Sequence, residues 1–226
     1  MEKVLILGAA GQIGTELVNT LRATYGNDQV IAGDLLAANL SEPCIQIDAT
    51  DEHALRELVT KEGVTVVYQL VAMLSATGEK LPEKAWALNM QALFAVLNLA
   101  KDQLIKQVFW PSSIAAFGPN TPTLDSPQMT VMDPTTVYGI SKLSGELWCQ
   151  YYHDKYGVDV RSIRYPGLIS WGAEPGGGTT DYAIDIFRSA KKDNAYTCFL
   201  AEDTRLPMMH MDDAIRATLE LSLIHI

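Results

Sequence analysis

Short apolar runs alternate with stretches of helical period along most of the chain. Residues 4–7 are one such run and predict a strand. Ile13, Leu17, Val18 and Leu21 then recur three or four apart, which predicts an amphipathic helix that Gly26 stops. Apolar runs at 29–33 and 44–47 predict two more strands. Asp51 is placed to cap a helix through Leu55, Leu58 and Val59. The continuous run 64–70 suits a strand buried on both faces. Pro82 opens a long helix through Trp86, Leu93, Val96 and Leu97, with proline at its favoured first position. A fifth strand, 108–111, leads into a loop rich in Pro, Thr and Asp at 118–134. A helix at about 136–156 and a sixth strand at 158–165 follow.

Repeated strand–helix–strand units mean an α/β protein with a doubly wound parallel sheet. The pattern changes after Pro166, so the sequence divides into 1–166 and a smaller lobe, 167–226. In that lobe the glycines at 172 and 176–178 make a loop and 181–192 reads as a helix. Residues 196–200 and 206–210 read as short strands, and Asp212 is placed to cap a last helix.

Composition excludes more than it identifies. The chain has 226 residues, 48% of them hydrophobic, enough for a large core. A formal charge of −10 argues against nucleic acid and anionic membrane as partners. Cys44, Cys149 and Cys198 lie far apart, which suggests free thiols in a reducing compartment, without metal or disulfides. The apolar start lacks a basic leader and no run approaches a membrane span, so a soluble, cytoplasmic protein is expected.

GAAGQIG places glycines at 8, 11 and 14, after a strand and at the opening of a helix. Glycine lets the backbone approach a pyrophosphate, and the helix N-terminus offers oriented N–H groups. A tight turn that only packs helix on strand is the bland alternative. Asp34 ends the second strand 20 residues after Gly14. A carboxylate there accepts from a ribose diol and repels a 2′-phosphate, which predicts NAD and not NADP. Asp48 either receives an adenine amino group or merely closes a turn. In YGISK, Tyr138 and Lys142 stand four apart on one helix face. A lysine beside a phenol stabilises the phenolate, and the tyrosine can then act as a base on an alcohol. Alone, such a pair is usually a surface pair. Ser113, at the end of the fifth strand, is placed to hold the reacting oxygen.

Together these features resemble the extended short-chain dehydrogenase/reductase superfamily, which includes sugar-nucleotide epimerases and dehydratases. YQLVAMLSATGE, WPSSIAAFGP, RYPGLISWGAEPGGGTTDYAIDIF and YTCFLAEDTRLPMMHMDDAIRA are more narrowly similar to the short-chain type of L-threonine 3-dehydrogenase. The likeness extends to about residue 221. SLIHI, at 222–226, departs from it, so the resemblance implies a chain shortened at its C-terminus with a non-native end. Gln69 and His210 stand where that family usually has histidine and tyrosine, a departure expected to tune activity without removing it.

The resemblance implies a Rossmann fold that holds NAD through Gly8, Gly11, Gln12, Ile13, Gly14, Asp34, Leu35, Asp48 and Ala49. Leu70, Ala72, Asn89, Tyr138, Lys142, Tyr165 and Pro166 complete that set. It implies that L-threonine meets Ser75, Ser113, Tyr138, Gly178, Thr179 and Thr180. Tyr138 would take the proton of the 3-hydroxyl while C3 gives a hydride to NAD, yielding 2-amino-3-oxobutyrate. Two other readings stay open. A sugar-nucleotide epimerase or dehydratase should show basic residues in the second lobe, where Glu174, Asp181 and Asp185 surround a single base, Arg188. A catalytically silent NAD-sensing module would not need Ser113, Tyr138 and Lys142. Apolar residues on several faces of the helices at 82–101 and 136–156, among them Phe94, Trp148 and Tyr152, together with the family likeness, imply a homodimer through those helices.

Overall fold

The structure, a computed structural model, describes residues 2–37, 40–170 and 180–223. Its centre is a six-stranded parallel sheet: β1 (Val4–Leu7), β2 (Val30–Asp34), β3 (Cys44–Gln46), β4 (Val66–Gln69), β5 (Gln107–Phe109) and β7 (Asp159–Arg161). The order is β3-β2-β1-β4-β5-β7. The chain leaves β1 toward β2 on one side and returns to β4 on the other. The crevice between those two crossovers is the switch point at which doubly wound sheets bind ligands.

Alternation along β1 shows why both faces are covered. Leu5 and Leu7 join a core with Leu55, Leu58 and Val59 of α2 (Glu52–Glu62) and Leu93, Val96 and Leu97 of α4 (Pro82–Lys101). Val4 and Ile6 join a second core with Leu17, Val18 and Leu21 of α1 (Gln12–Tyr25). Successive strand side chains point to opposite faces, so one apolar run feeds two layers. α5 (Val137–Tyr156) packs beside α4. Thr136 caps it, accepting from the Gly139 N–H at 3.0 Å. Asp51 caps α2 in the same way through Ala54, at 3.0 Å.

The second half departs from the sequence reading in three places. The sixth strand, expected at 158–165, is broken. β7 ends at Arg161, and β8 (Arg164–Tyr165) pairs instead with β6 (Ser112–Ser113), away from the main sheet. Residues 196–200 form no strand: Phe199 is 69% exposed, and among the described residues no strand runs beside them. Asp212 does not cap the last helix, because α7 (Met211–Leu223) starts directly after β10 (Met208–His210) and Asp212 falls inside its first turn.

β10 pairs with β9 (Gly167–Ile169), and α6 (Tyr182–Asp193) falls between these two strands in the chain. α7 packs back on α1, placing Met211, Ala214 and Ile215 in the core with Ile6, Tyr68 and Phe109. Arg161 donates to the last carbonyls of α7, Leu221 at 2.8 Å and Ser222 at 3.2 Å. The Ser222 hydroxyl meets Tyr68 Oη at 2.7 Å. Residues 224–226, the end of the segment read as non-native, lie outside the described residues. No described helix is long and apolar enough to cross a membrane.

Candidate active site

The glycine loop is shaped by atoms that are missing. Gly8 sits at φ +82°, and a β-carbon there would press on the Val71 and Leu70 backbone. A β-carbon on Gly14 would collide with the Gly8 carbonyl and the Ala9 backbone. Asp34 closes the turn from the other side: its carboxylate accepts from Ala10 N–H at 3.0 Å and Leu36 N–H at 2.9 Å. A cleft of about 250 Å³ results, lined by Gly8, Gly11, Asp34, Leu35, Asp48, Ala49, Leu70 and Ala72. Leu7, Gly33, Ile47, Val71 and Leu88 line it too, and the sequence reading had none of them. Gln12 opens α1, whereas Ile13 packs its side chain against the core under the sheet. This cradle, with its carboxylate at the end of β2, fits the diphosphate and ribose of a dinucleotide.

Several residues of the cofactor set are engaged within the protein. Asp48 Oδ1 accepts from the Thr50 N–H at 2.8 Å and its hydroxyl at 2.7 Å, so it closes a turn, and it also lines the cleft. Asn89 is buried, clamping Met73 and donating to Ser141 Oγ at 3.1 Å, and so holds the strand-end loop. Gln69, fully buried, brackets the N–H and carbonyl of Val71 at 3.2 and 3.3 Å. Tyr165 turns its hydroxyl to Thr218 of α7, and its side chain is buried in the core. Half-buried Pro166 links β8 to β9.

Ser113, Tyr138 and Lys142 come together at the carboxyl edge of the sheet. Ser113 Oγ accepts from Ala115 N–H at 3.1 Å and lies close enough to the Tyr138 phenol to act on its pKa. Lys142 is buried, with Nζ 2.5 Å from the Pro111 carbonyl and 5.5 Å from the Tyr138 ring centre. Nζ also lies 4.5 Å over the Trp110 ring. The expected lowering of the phenol pKa is not what this arrangement produces. Burial pushes Tyr138 up to about 12, against a smaller opposing effect of the Ser113 hydroxyl. Burial pulls Lys142 down to about 7, opposed by the nearby Cys149 and Glu146. Desolvation penalises whichever form is charged, so it separates the two groups in opposite directions.

Of the substrate set, Ser75 starts α3 (Ser75–Gly78), a short helix packed on the first turn of α5. Glu79 draws the two together by accepting from Val137 N–H at 2.8 Å. Thr180 stands over Gly167 of β9 beside Met208. Gly178 and Thr179 lie outside the described residues. His210, 3.5 Å from Asp212, is not in a metal-binding group, and among the described residues no cluster of three or more His, Cys, Asp or Glu could hold a metal. A larger hollow, about 440 Å³, opens between α1 and α7 around Glu16, Ile215, Arg216 and Leu219 and contains none of the predicted site residues.

The NAD dependent epimerase/dehydratase family matches residues 4–222, nearly the whole chain. The chain belongs to that family. Membership brings with it the binding of a nicotinamide dinucleotide, NAD(P). An uncharacterized epimerase/dehydratase of Staphylococcus saprophyticus is 49% identical, with 98% of this chain and 70% of that protein aligned. Two solved structures are similar to this family member over most of its length. One is a partial consensus L-threonine 3-dehydrogenase, 57% identical, TM-score 0.96, covering 99% of this chain and 73% of the other. The second is the holo form of a GalE-like L-threonine dehydrogenase from Cupriavidus necator, 57% identical, TM-score 0.93, covering 96% and 71%. A UDP-glucose 4-epimerase from Thermotoga maritima, 21% identical with TM-score 0.87, shares the fold.

Proposed function

We propose that the protein oxidises the 3-hydroxyl of L-threonine with NAD as acceptor, giving 2-amino-3-oxobutyrate. The observation that carries this reading is 57% identity, across almost the whole chain, to two solved L-threonine dehydrogenases. Asp34 at the end of β2 favours NAD, because a carboxylate there repels a 2′-phosphate. When bound, NAD accepts the hydride from C3.

The chain's own residues handle the proton and the geometry. Ser113 holds the substrate oxygen by a hydrogen bond. Tyr138 accepts the hydroxyl proton as the carbon–hydrogen bond breaks. With its pKa pushed up to about 12 by burial, Tyr138 rests as the neutral phenol; it must first release its proton to water to become the base, and the nearby Lys142 ammonium supports that phenolate. Ser75 and the 178–180 segment receive the amino acid's charged end. The acidic second lobe suits a small zwitterion better than a nucleotide diphosphate. We further propose a homodimer through α4 and α5, where Leu147 is 64% and Trp148 40% exposed on the single chain. Sedimentation of the purified protein tests this: a monomer mass at micromolar concentration would reject it.

The decisive assay is NADH formation from NAD with L-threonine, L-serine or UDP-glucose in parallel. NADH with threonine alone is expected. Turnover of the UDP-sugar, or of none of the three by protein that binds NAD, would reject the reading.

A further inference from the structure

Tyr138, Lys142 and Glu146 recur every four residues and form one stripe along α5. The first two belong to the proposed reaction, and Glu146 has no role in it. Its carboxylate nevertheless accepts three hydrogen bonds. Ser112 Oγ donates at 2.5 Å, and Arg164 donates through Nε at 2.8 Å and Nη2 at 2.7 Å. Glu146 and Arg164 are each only 17% exposed at the side chain. A two-pronged guanidinium–carboxylate contact fixes orientation as well as distance.

The partners matter more than the pair. Ser112 and Arg164 face each other across the β6–β8 ladder, and the next rung pairs Ser113 with Tyr165. Glu146 therefore grips the strand that carries Ser113 one residue before that serine. Arg164 also donates to the Gln128 carbonyl at 3.1 Å and lies 5.4 Å over the Phe117 ring, tying in the 118–134 loop.

We propose that Glu146 is a positioning residue that locks the helix bearing Tyr138 and Lys142 to the strand bearing Ser113, and so sets the Ser113–Tyr138 contact. This rests on the reading that those groups act together on a hydroxyl. Its negative charge also favours the ammonium form of Lys142 against burial.

The test uses Glu146→Gln, which keeps the shape and loses the charge, and Arg164→Lys, which keeps the charge and loses the fork. Crystal structures of both variants read the proposal without turnover: a longer Ser113–Tyr138 separation than in the parent is expected, and an unchanged separation overturns it. In the threonine assay kcat should fall roughly 10- to 100-fold, the scale expected of a small misplacement, while KM for NAD stays within about twofold. Unchanged kcat in folded protein, or equal losses in kcat and NAD affinity, would overturn it. If Glu146→Gln does not fold, Arg164→Lys decides by the same criteria. A parent enzyme without threonine turnover would strike the functional reading alone, because the crystallographic comparison does not depend on it.

Discussion

The two ends of the crevice are built on opposite principles. The glycine-loop end works by atoms left out, with backbone against backbone at Gly8 and Gly14 and a carboxylate, Asp34, held by main-chain N–H groups. The α5 end works by charge brought in: Lys142, Glu146 and Arg164 sit in a largely dry region and answer one another. The first should fail when atoms are added, the second when charge or a proton is removed. Recognition of a common cofactor rests on shape and one placed carboxylate, whereas the proposed chemistry on a hydroxyl needs groups whose protonation is held away from its ordinary value.

The largest effect is expected at the charged end. Tyr138→Phe should lower kcat by roughly 10²–10⁴-fold, the range for a proton-transfer group. NAD affinity, measured by calorimetry, should hardly change. Activity within threefold of the parent would remove Tyr138 from the chemistry.

Lys142→Met comes next, and its sign can be worked out. The buried ammonium titrates near 7 and the unfolded one near 10.5. Between those values the unfolded chain binds more protons, so stability rises with pH through that window and the penalty is complete below pH 7. The methionine variant should lose this dependence, gaining on the order of 4 kcal/mol at pH 6 relative to its gain at pH 10. Denaturant melts at both pH values check it, and parallel curves for parent and variant would contradict the buried charge.

At the glycine end, Gly14→Val should cost roughly 1–3 kcal/mol of stability, the usual range for overpacking. NAD affinity should fall with it, read by thermal melts with and without NAD. The smallest change is Asp34→Asn. It should weaken NAD about tenfold and narrow its advantage over NADP, in line with one charged hydrogen bond. An unchanged NAD/NADP ratio would show that Asp34 serves only the turn.

The same contrast explains what the sequence made legible. β1, α1 and β2 could be read because an apolar run, spaced glycines and a terminal Asp each report on local backbone. Asp51 announced its helix for the same reason. The break between β7 and β8 could not be read, since 158–165 looks continuous and only the pairing of Ser112 with Arg164 diverts it. Residues 196–200 carry strand-like Tyr196 and Phe199, but a strand needs a neighbour and has none there. Asn89 entered the cofactor set through the family likeness alone, and its bonds to Met73 and Ser141 had no local signal in the sequence. Glu146 was within reach: reading the four-residue step beyond Lys142 once more arrives at it. Its partner Arg164 was not, because nothing local links residues 18 apart.

The docking of α7 has a consequence for how the chain is tied together. Arg161 and Tyr68 fasten the end of that helix to the sheet, and Ala214 and Ile215 share a core with Ile6. The stretch from Pro166 to His210 is thus a loop in the polymer sense, closed at its base by residues that belong with the first strand. The entropy of such a closure grows only with the logarithm of length, roughly 0.6 kcal/mol per doubling. Insertions or rearrangements in that stretch should therefore come at small cost to the sheet to which it is tied.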